Sequence, residues 1–263
     1  MKLQKLFIKK LSKILILTIA LTGYSVNATI VQFETNMGNF EVNLYDNDTP
    51  LTVANFLAYV DDGDYSNSVF HRAVPGFIIQ GGGFKLGDPL VWPLGTVNSN
   101  PTVNNEPIYS NVRGTIAMAK LGGDPNSATN QWFINIDNSN ASNLDNQNGG
   151  FTVFGQVTGD GMAVVDTMMA LPRFNFGGAL TDIPLQNFTA GNDPDATNLL
   201  IITSIQVIDA TMDTASGLTR PLTTRPPDAV DPGTPTPQSS SGAGASIGLL
   251  FILIFGGLVR KFV

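Results

Sequence analysis

Phe70-His71-Arg72-Ala73-Val74-Pro75-Gly76-Phe77-Ile78-Ile79-Gln80-Gly81-Gly82 is the stretch that decides the fold of this chain. Pro75-Gly76 carries turn chemistry between two short runs, Val69 to Arg72 and Phe77 to Gly81, so both read as strands. Successive side chains on a strand point to opposite faces. His71 and Arg72 therefore part company, while Ile78 and Gln80 share a face. Arg72 then stands beside an amide, Gln80, above an apolar floor. Spacing alone leaves two readings open: a cleft with a polar edge, or a surface ion pair at Arg72 over ordinary core residues Phe77 and Ile78.

Working outward, Val31 and Phe33 alternate with polar residues, as do Phe40, Val42 and Leu44. Thr35-Asn36-Met37-Gly38 lies between them, which predicts an opening β-hairpin. Asp48-Thr49-Pro50 is a helix start, and Val53, Phe56, Leu57 and Val60 form one apolar face that stops at Gly63. Further strands are predicted at Thr115 to Ala119, Gln131 to Ile136, Thr152 to Val157 and Leu199 to Ile208. A second helix, with Val164, Val165 and Met168 toward a core, runs from Gly161 to Leu171 and ends at Pro172. Short strands with two helices far apart do not make βαβ units. The expectation is a mainly β domain, an antiparallel sheet closed into a barrel and capped by helices.

The two ends read differently from the middle. Residues 1–28 combine a lysine-rich start, an apolar run from Ile14 to Leu21 and a small-residue exit at Val26-Asn27-Ala28, the layout of a secretory signal peptide. Residues 29–210 make one domain of ordinary size. Residues 211–245 are rich in Pro, Thr, Ser and Gly and read as an extended linker without packed contacts. Residues 246–263 form an apolar tail closed by Arg260-Lys261. Ala243 to Val259 would span about 25 Å as a helix, marginal against roughly 30 Å of hydrocarbon. A Ser/Gly/Ala cluster, a short apolar segment and basic residues in that order resemble the glycine-rich sorting tails of Gram-negative bacteria; a plain tail anchor is the other reading.

Composition removes several function classes. Five of the 14 cations fall in the first 13 residues, so from residue 29 nine cations face 21 acids, a formal charge of −12. Such a body repels phosphate backbones, and with no basic stripe no nucleic-acid partner is expected. The absence of cysteine excludes disulfides, thiolate metal sites and cysteine nucleophiles, and the single histidine excludes a multi-histidine metal centre. No Gly-x-Ser-x-Gly elbow is present. Gly81-Gly82-Gly83 lacks the spacing and the Lys-Ser/Thr ending of a phosphate loop and reads as a flexible turn. Asp137 to Gly150, crowded with Asn and Asp, lacks the acids of a calcium loop and reads as a long polar loop.

Phe70 to Gly82 resembles the central motif of the cyclophilins, the peptidyl-prolyl cis-trans isomerases. Arg113-Gly114-Thr115-Ile116-Ala117-Met118-Ala119 with Asn130-Gln131-Trp132-Phe133-Ile134 resembles the family's second block, and Leu144-Asp145 with Val153-Phe154-Gly155-Gln156-Val157 its third. The resemblance implies a closed eight-stranded antiparallel β-barrel with two capping α-helices. It also implies that Arg72 is the catalytic arginine with Gln80 beside it. Phe77, Ile78, Phe133 and Leu144 would form the proline pocket, and Ala119 and Gln131 would line the groove for preceding residues. Ile78 replaces the usual pocket methionine at similar volume. Three further positions depart from the family: Lys120 for a groove asparagine, Asn143 for a tryptophan, and Phe151 for a histidine at the pocket rim. These set groove preference and inhibitor affinity apart from the usual pattern.

These residue types suit the chemistry so implied. Rotation about a peptide bond meets a barrier of roughly 18–20 kcal/mol, because the nitrogen lone pair is delocalised into the carbonyl. Half-way through, that lone pair is localised and can accept a hydrogen bond, which an always-charged arginine can donate. No cofactor or metal is needed. The expectation is a monomeric, exported isomerase of the periplasm or cell envelope acting on proline-containing segments of unfolded or partly folded polypeptides, tethered at the membrane or released after tail processing. Two alternatives remain: a non-catalytic proline-peptide binding module at the envelope, and a carbohydrate-binding β domain using Trp92 and the Asn-rich loops.

Overall fold

The computed structural model describes residues 29–87, 92–211 and 214–227. The expected signal peptide, the later part of the linker from residue 228 and the apolar tail lie outside the described residues. The opening hairpin pairs β1 (Ile30–Thr35) with β2 (Phe40–Leu44), and Phe33 lies opposite Phe40 with the rings stacked at 4.7 Å. Helix α1 (Pro50–Asp61) has proline in its first turn and no side-chain cap of its own. Glu106 supplies one from a distance, its carboxylate accepting from the Leu51 N–H at 3.2 Å and from the Thr52 N–H at 2.9 Å. A negative group there also suits the helix dipole. Val53 and Phe56 are buried as expected, and Tyr59 joins them.

The chain then lays down β3 (Ser68–Val69), β4 (Arg72–Val74), β5 (Ile78–Gly81), β6 (Phe84–Lys85), β7 (Gly95–Thr96), β8 (Thr115–Met118) and β9 (Trp132–Asn135). Helix α2 (Ala141–Asn146), β10 (Val153–Val157), α3 (Gly161–Met169), β11 (Arg173–Phe174), β12 (Ile183–Pro184) and β13 (Ile201–Asp209) follow. The main sheet runs β4-β5-β9-β8-β10-β2-β1-β13-β3-β6-β7, every pair antiparallel.

This is a mainly β fold, but the expected closed eight-stranded barrel is not formed; the sheet curls into a half-barrel with two ends. The predicted strand Val69 to Arg72 breaks in its middle. The Phe70 N–H donates to the Leu200 carbonyl at 3.1 Å and the His71 N–H to the Gln80 carbonyl at 3.0 Å, so the pairing partner changes between adjacent residues. The outer edge of β4 is covered from elsewhere, the Ala73 N–H donating to the Asp182 carbonyl at 2.8 Å. A covered edge is not available to extend the ladder.

The inner face holds the main core, in which the fully buried Trp132 meets Phe33 and Phe70 edge-on at 5.2 and 5.5 Å. Each such side chain, once fully buried, contributes about 1.5–3 kcal/mol. Alternation along β5 and β9 sends Ile79, Trp132 and Ile134 inward and leaves Ile78 and Phe133 in a second apolar cluster on the other face. The segment 174–198 builds most of a third. Phe174 and Phe176 pack edge-on with Phe188 at 4.8 and 5.9 Å, and Trp92 lies 5.1 Å from Phe176. Among the described residues no helix is long and apolar enough to cross a membrane.

One expectation about the linker fails. Thr214–Pro227 does not leave the domain but lies against it: Ala215 is buried in the second cluster and Leu218 packs on it. Composition suggested solvent because the stretch has few large apolar side chains. Backbone and charged hydrogen bonds hold it instead.

Candidate active site

The second cluster joins five of the predicted site residues, Ile78, Phe133, Leu144, Phe151 and the half-buried Phe77, and Ala119 packs against it. They arrive on several pieces of chain, Phe77 and Ile78 together. Phe77 closes the Pro75-Gly76 turn, its carbonyl accepting from the Ile136 N–H at 2.9 Å. Ile78 opens β5 and Phe133 lies on β9. Leu144 comes from α2, inside what the sequence suggested was a polar loop. The Leu144 carbonyl accepts from the Phe151 N–H at 3.0 Å, and the Phe151 ring meets Phe133 edge-on at 5.6 Å. Phe151 is thus buried within the cluster and not at an open rim.

A polar row borders this cluster. Arg72 and Gln80 are direct cross-strand partners, with the Arg72 Nη1 3.5 Å from the Gln80 Oε1. Gln80 Nε2 donates to Gln131 Oε1 at 2.9 Å. A guanidinium can only donate, so Gln80 must present its oxygen to Arg72 and its nitrogen to Gln131; the donor inventory alone fixes both amides. Burial pulls the proton affinity of Arg72 below its ordinary value, and the negative charge of Asp182 opposes this. An arginine starting so high stays cationic.

His71 faces the other way, fully buried, its ring 4.9 Å from Phe84. Burial, and secondarily the charge of Arg72, push its pKa down to about 3, so it is neutral at physiological pH. Lys120 lies beside the second cluster, against Phe151. Its ammonium donates to the carbonyls of Asn148 and Gly150 at 2.7 and 2.6 Å and lies 4.8 Å from the centre of the Phe151 ring. It ties down the loop that presents Phe151.

The glycine run after β5 is a packing device, not a flexible turn. A Cβ on Gly81 would fall 2.8 Å from the Trp132 ring, one on Gly82 2.4 Å from the Asn130 carbonyl, and one on Gly83 2.7 Å from the Gln131 amide carbon. Gly82 also has a φ of +81°, which side chains rarely adopt. Among the described residues no group of three or more His, Asp or Glu could hold a metal ion.

Sequence reasoning missed Asp145, whose buried carboxylate accepts from Ser110 Oγ at 2.7 Å and from the Asn111 N–H at 2.8 Å. A buried acid next to a predicted pocket leucine was the available signal, since such a group must find donors.

An arginine and two glutamines thus form a polar row beside an apolar cluster on a curled antiparallel sheet, residue types suited to an enzyme that handles peptides. Residues 30–189 match the family described as Cyclophilin type peptidyl-prolyl cis-trans isomerase/CLD, and the chain belongs to that family of enzymes, which bind proline-containing peptides. It is similar to the peptidyl-prolyl cis-trans isomerase of Acinetobacter baylyi, 37% identical over 160 residues that cover 60% of this chain and 80% of that one. It is also similar to peptidyl-prolyl cis-trans isomerase B of Escherichia coli K12, 39% identical over 163 residues covering 60% of this chain and 94% of that one. A crystal structure of a cyclophilin type isomerase from Cryptosporidium parvum aligns with a TM-score of 0.49 at 26% identity, covering 69% of this chain and 98% of that one.

Proposed function

We propose that this isomerase turns X-Pro bonds in unfolded or partly folded exported proteins, with Arg72 donating to the twisted amide nitrogen. The observation that best supports it is the cross-strand pair of Arg72 and Gln80 beside the cluster of Ile78, Phe133, Leu144 and Phe151. The proline ring enters the cluster and is held while the acyl side rotates. In the planar ground state the amide nitrogen accepts no hydrogen bond, because its lone pair is delocalised. In the twisted state it accepts one from Arg72. That interaction exists only at the top of the barrier, so it speeds the reaction instead of tightening binding. Gln80 fixes the guanidinium, Gln131 fixes Gln80, and Phe77 and Ala119 border the pocket. The uncatalysed exchange takes roughly 10–100 s, slow enough to limit the folding of a client.

The export reading is supported by the lysine-rich, apolar start of the chain, and envelope retention by its apolar end with Arg260-Lys261. Exchange NMR on a proline peptide with the purified full chain should show line broadening from accelerated exchange; none at stoichiometric enzyme would oppose the enzymatic reading. Fractionation of cells with mass spectrometry of both chain ends tests the address. An amino terminus near Thr29 in the envelope fraction is expected, and an intact Met1 in the cytosol would contradict export.

A further inference from the structure

Helix α2 carries Leu144 into the apolar cluster, yet its six residues form it with no side-chain hydrogen bond at the amino-terminal cap. So short a helix does not hold itself together, because nucleation costs more than one turn returns. Most of its support comes from outside. Asp145, the residue after Leu144, is tied to Ser110 and Asn111 on one side. On the other it accepts from the Thr224 N–H at 3.0 Å and from the Thr224 Oγ1 at 3.1 Å. Arg225 Nη1 donates to the Asn146 carbonyl at 2.7 Å, a cation at a helix carboxy terminus where carbonyls lack partners. The Asn146 amide returns a bond to Thr224 Oγ1 at 3.2 Å.

Both donors belong to the segment Thr214–Pro227, beyond the residues that match the family. That segment is itself fastened upstream. The Arg220 guanidinium pairs with Asp48 and lies 5.6 and 5.5 Å from the ring centres of Tyr45 and Tyr109. The Ser110 N–H donates to the Pro221 carbonyl at 2.8 Å and the Thr223 N–H to the Ile108 carbonyl at 2.9 Å, so Leu222 bridges Tyr109 as in an antiparallel ladder. Ala215 is 4% exposed in the same cluster as Leu144.

We infer that Thr224 and Arg225 are positioning residues of the isomerase: a strap after the last strand clamps α2 and thereby sets Leu144 in the proline pocket. The inference rests on the reading of the second cluster as that pocket. Holding the proline ring acts on ground state and transition state alike, whereas the Arg72 contact does not. Loosening the strap should therefore raise KM and leave kcat nearly unchanged.

The test uses the full chain with 13C-labelled leucine methyls and a proline peptide. In Thr224→Val/Arg225→Met, KM should rise about tenfold with kcat within twofold, and the Leu144 methyl resonances should shift and broaden. Thr224→Ser/Arg225→Lys should restore both. If the double variant does not fold, Arg225→Met alone should show the same split to a smaller degree. An unmoved Leu144 resonance and an unchanged KM in folded variants would overturn the strap's role. If instead the peptide leaves the Leu144 methyls of the unmodified protein unperturbed, the pocket assignment fails, a separate result from failure of the clamp.

Discussion

That Arg72 stands beside Gln80 was legible at the level of single residues from the turn dipeptide and strand alternation, whereas their role in a site came only from the family resemblance. The contacts of Lys120 were not legible. An ammonium on a flexible stem goes wherever carbonyl oxygens are offered, and the Asn148 and Gly150 carbonyls come from a loop 28 and 30 residues away. Charge-assisted bonds of this kind are worth about 1.5–3 kcal/mol. Lys120→Met should therefore cost about 1–3 kcal/mol in urea unfolding and raise KM severalfold through a loosened Phe151. A groove residue would behave differently, changing the preference for the amino acid before proline at unchanged stability.

Among the elements, the long strands and the two long helices follow from periodicity, and α1 and α3 fall where their apolar faces and proline boundaries predict. The elements that escaped are those whose partners lie far away in sequence. Helix α2 is polar on its exposed side and too short for a period, and Thr214–Pro227 is held by hydrogen bonds that composition cannot report. The glycine run was visible but misread, since a sequence shows that side chains are missing and not what occupies the space. Gly82→Ala combines a left-handed backbone with a Cβ 2.4 Å from a backbone oxygen, so something in β5, β9 or the Asn130 turn must move. A loss of about 2 kcal/mol or more is expected in urea unfolding. Because the displaced Trp132 adjoins Gln131, kcat should fall as well. A fully active, fully stable Gly82→Ala protein would contradict this packing.

For the whole molecule, the fold class was legible and the closure of the sheet was not: the edge of β4 is covered by the Asp182 carbonyl, a contact between residues far apart in sequence that strand patterning does not report. Its stability should also depend on pH through the one histidine. His71 binds a proton near pH 6.5 when unfolded but only near pH 3 when buried, so between those values the unfolded chain holds the extra proton. Stability then falls as pH falls through that window, by about 1.4 kcal/mol per pH unit. Between pH 6.5 and 5, above the main carboxylate range, His71→Gln should flatten the slope of urea midpoints against pH; an unchanged slope would place the protons elsewhere. Since His71 stays neutral and Arg72 stays charged, kcat should be flat over the same interval. The central claim, that one guanidinium selectively stabilises the twisted amide, is tested most directly by exchange NMR of a proline peptide with Arg72→Ala and Arg72→Lys, each checked by circular dichroism. We predict a folded Arg72→Ala protein that still binds the peptide but has lost about two to three orders of magnitude in kcat, with little recovery in Arg72→Lys. Wild-type exchange rates in a folded Arg72→Ala protein would contradict the account.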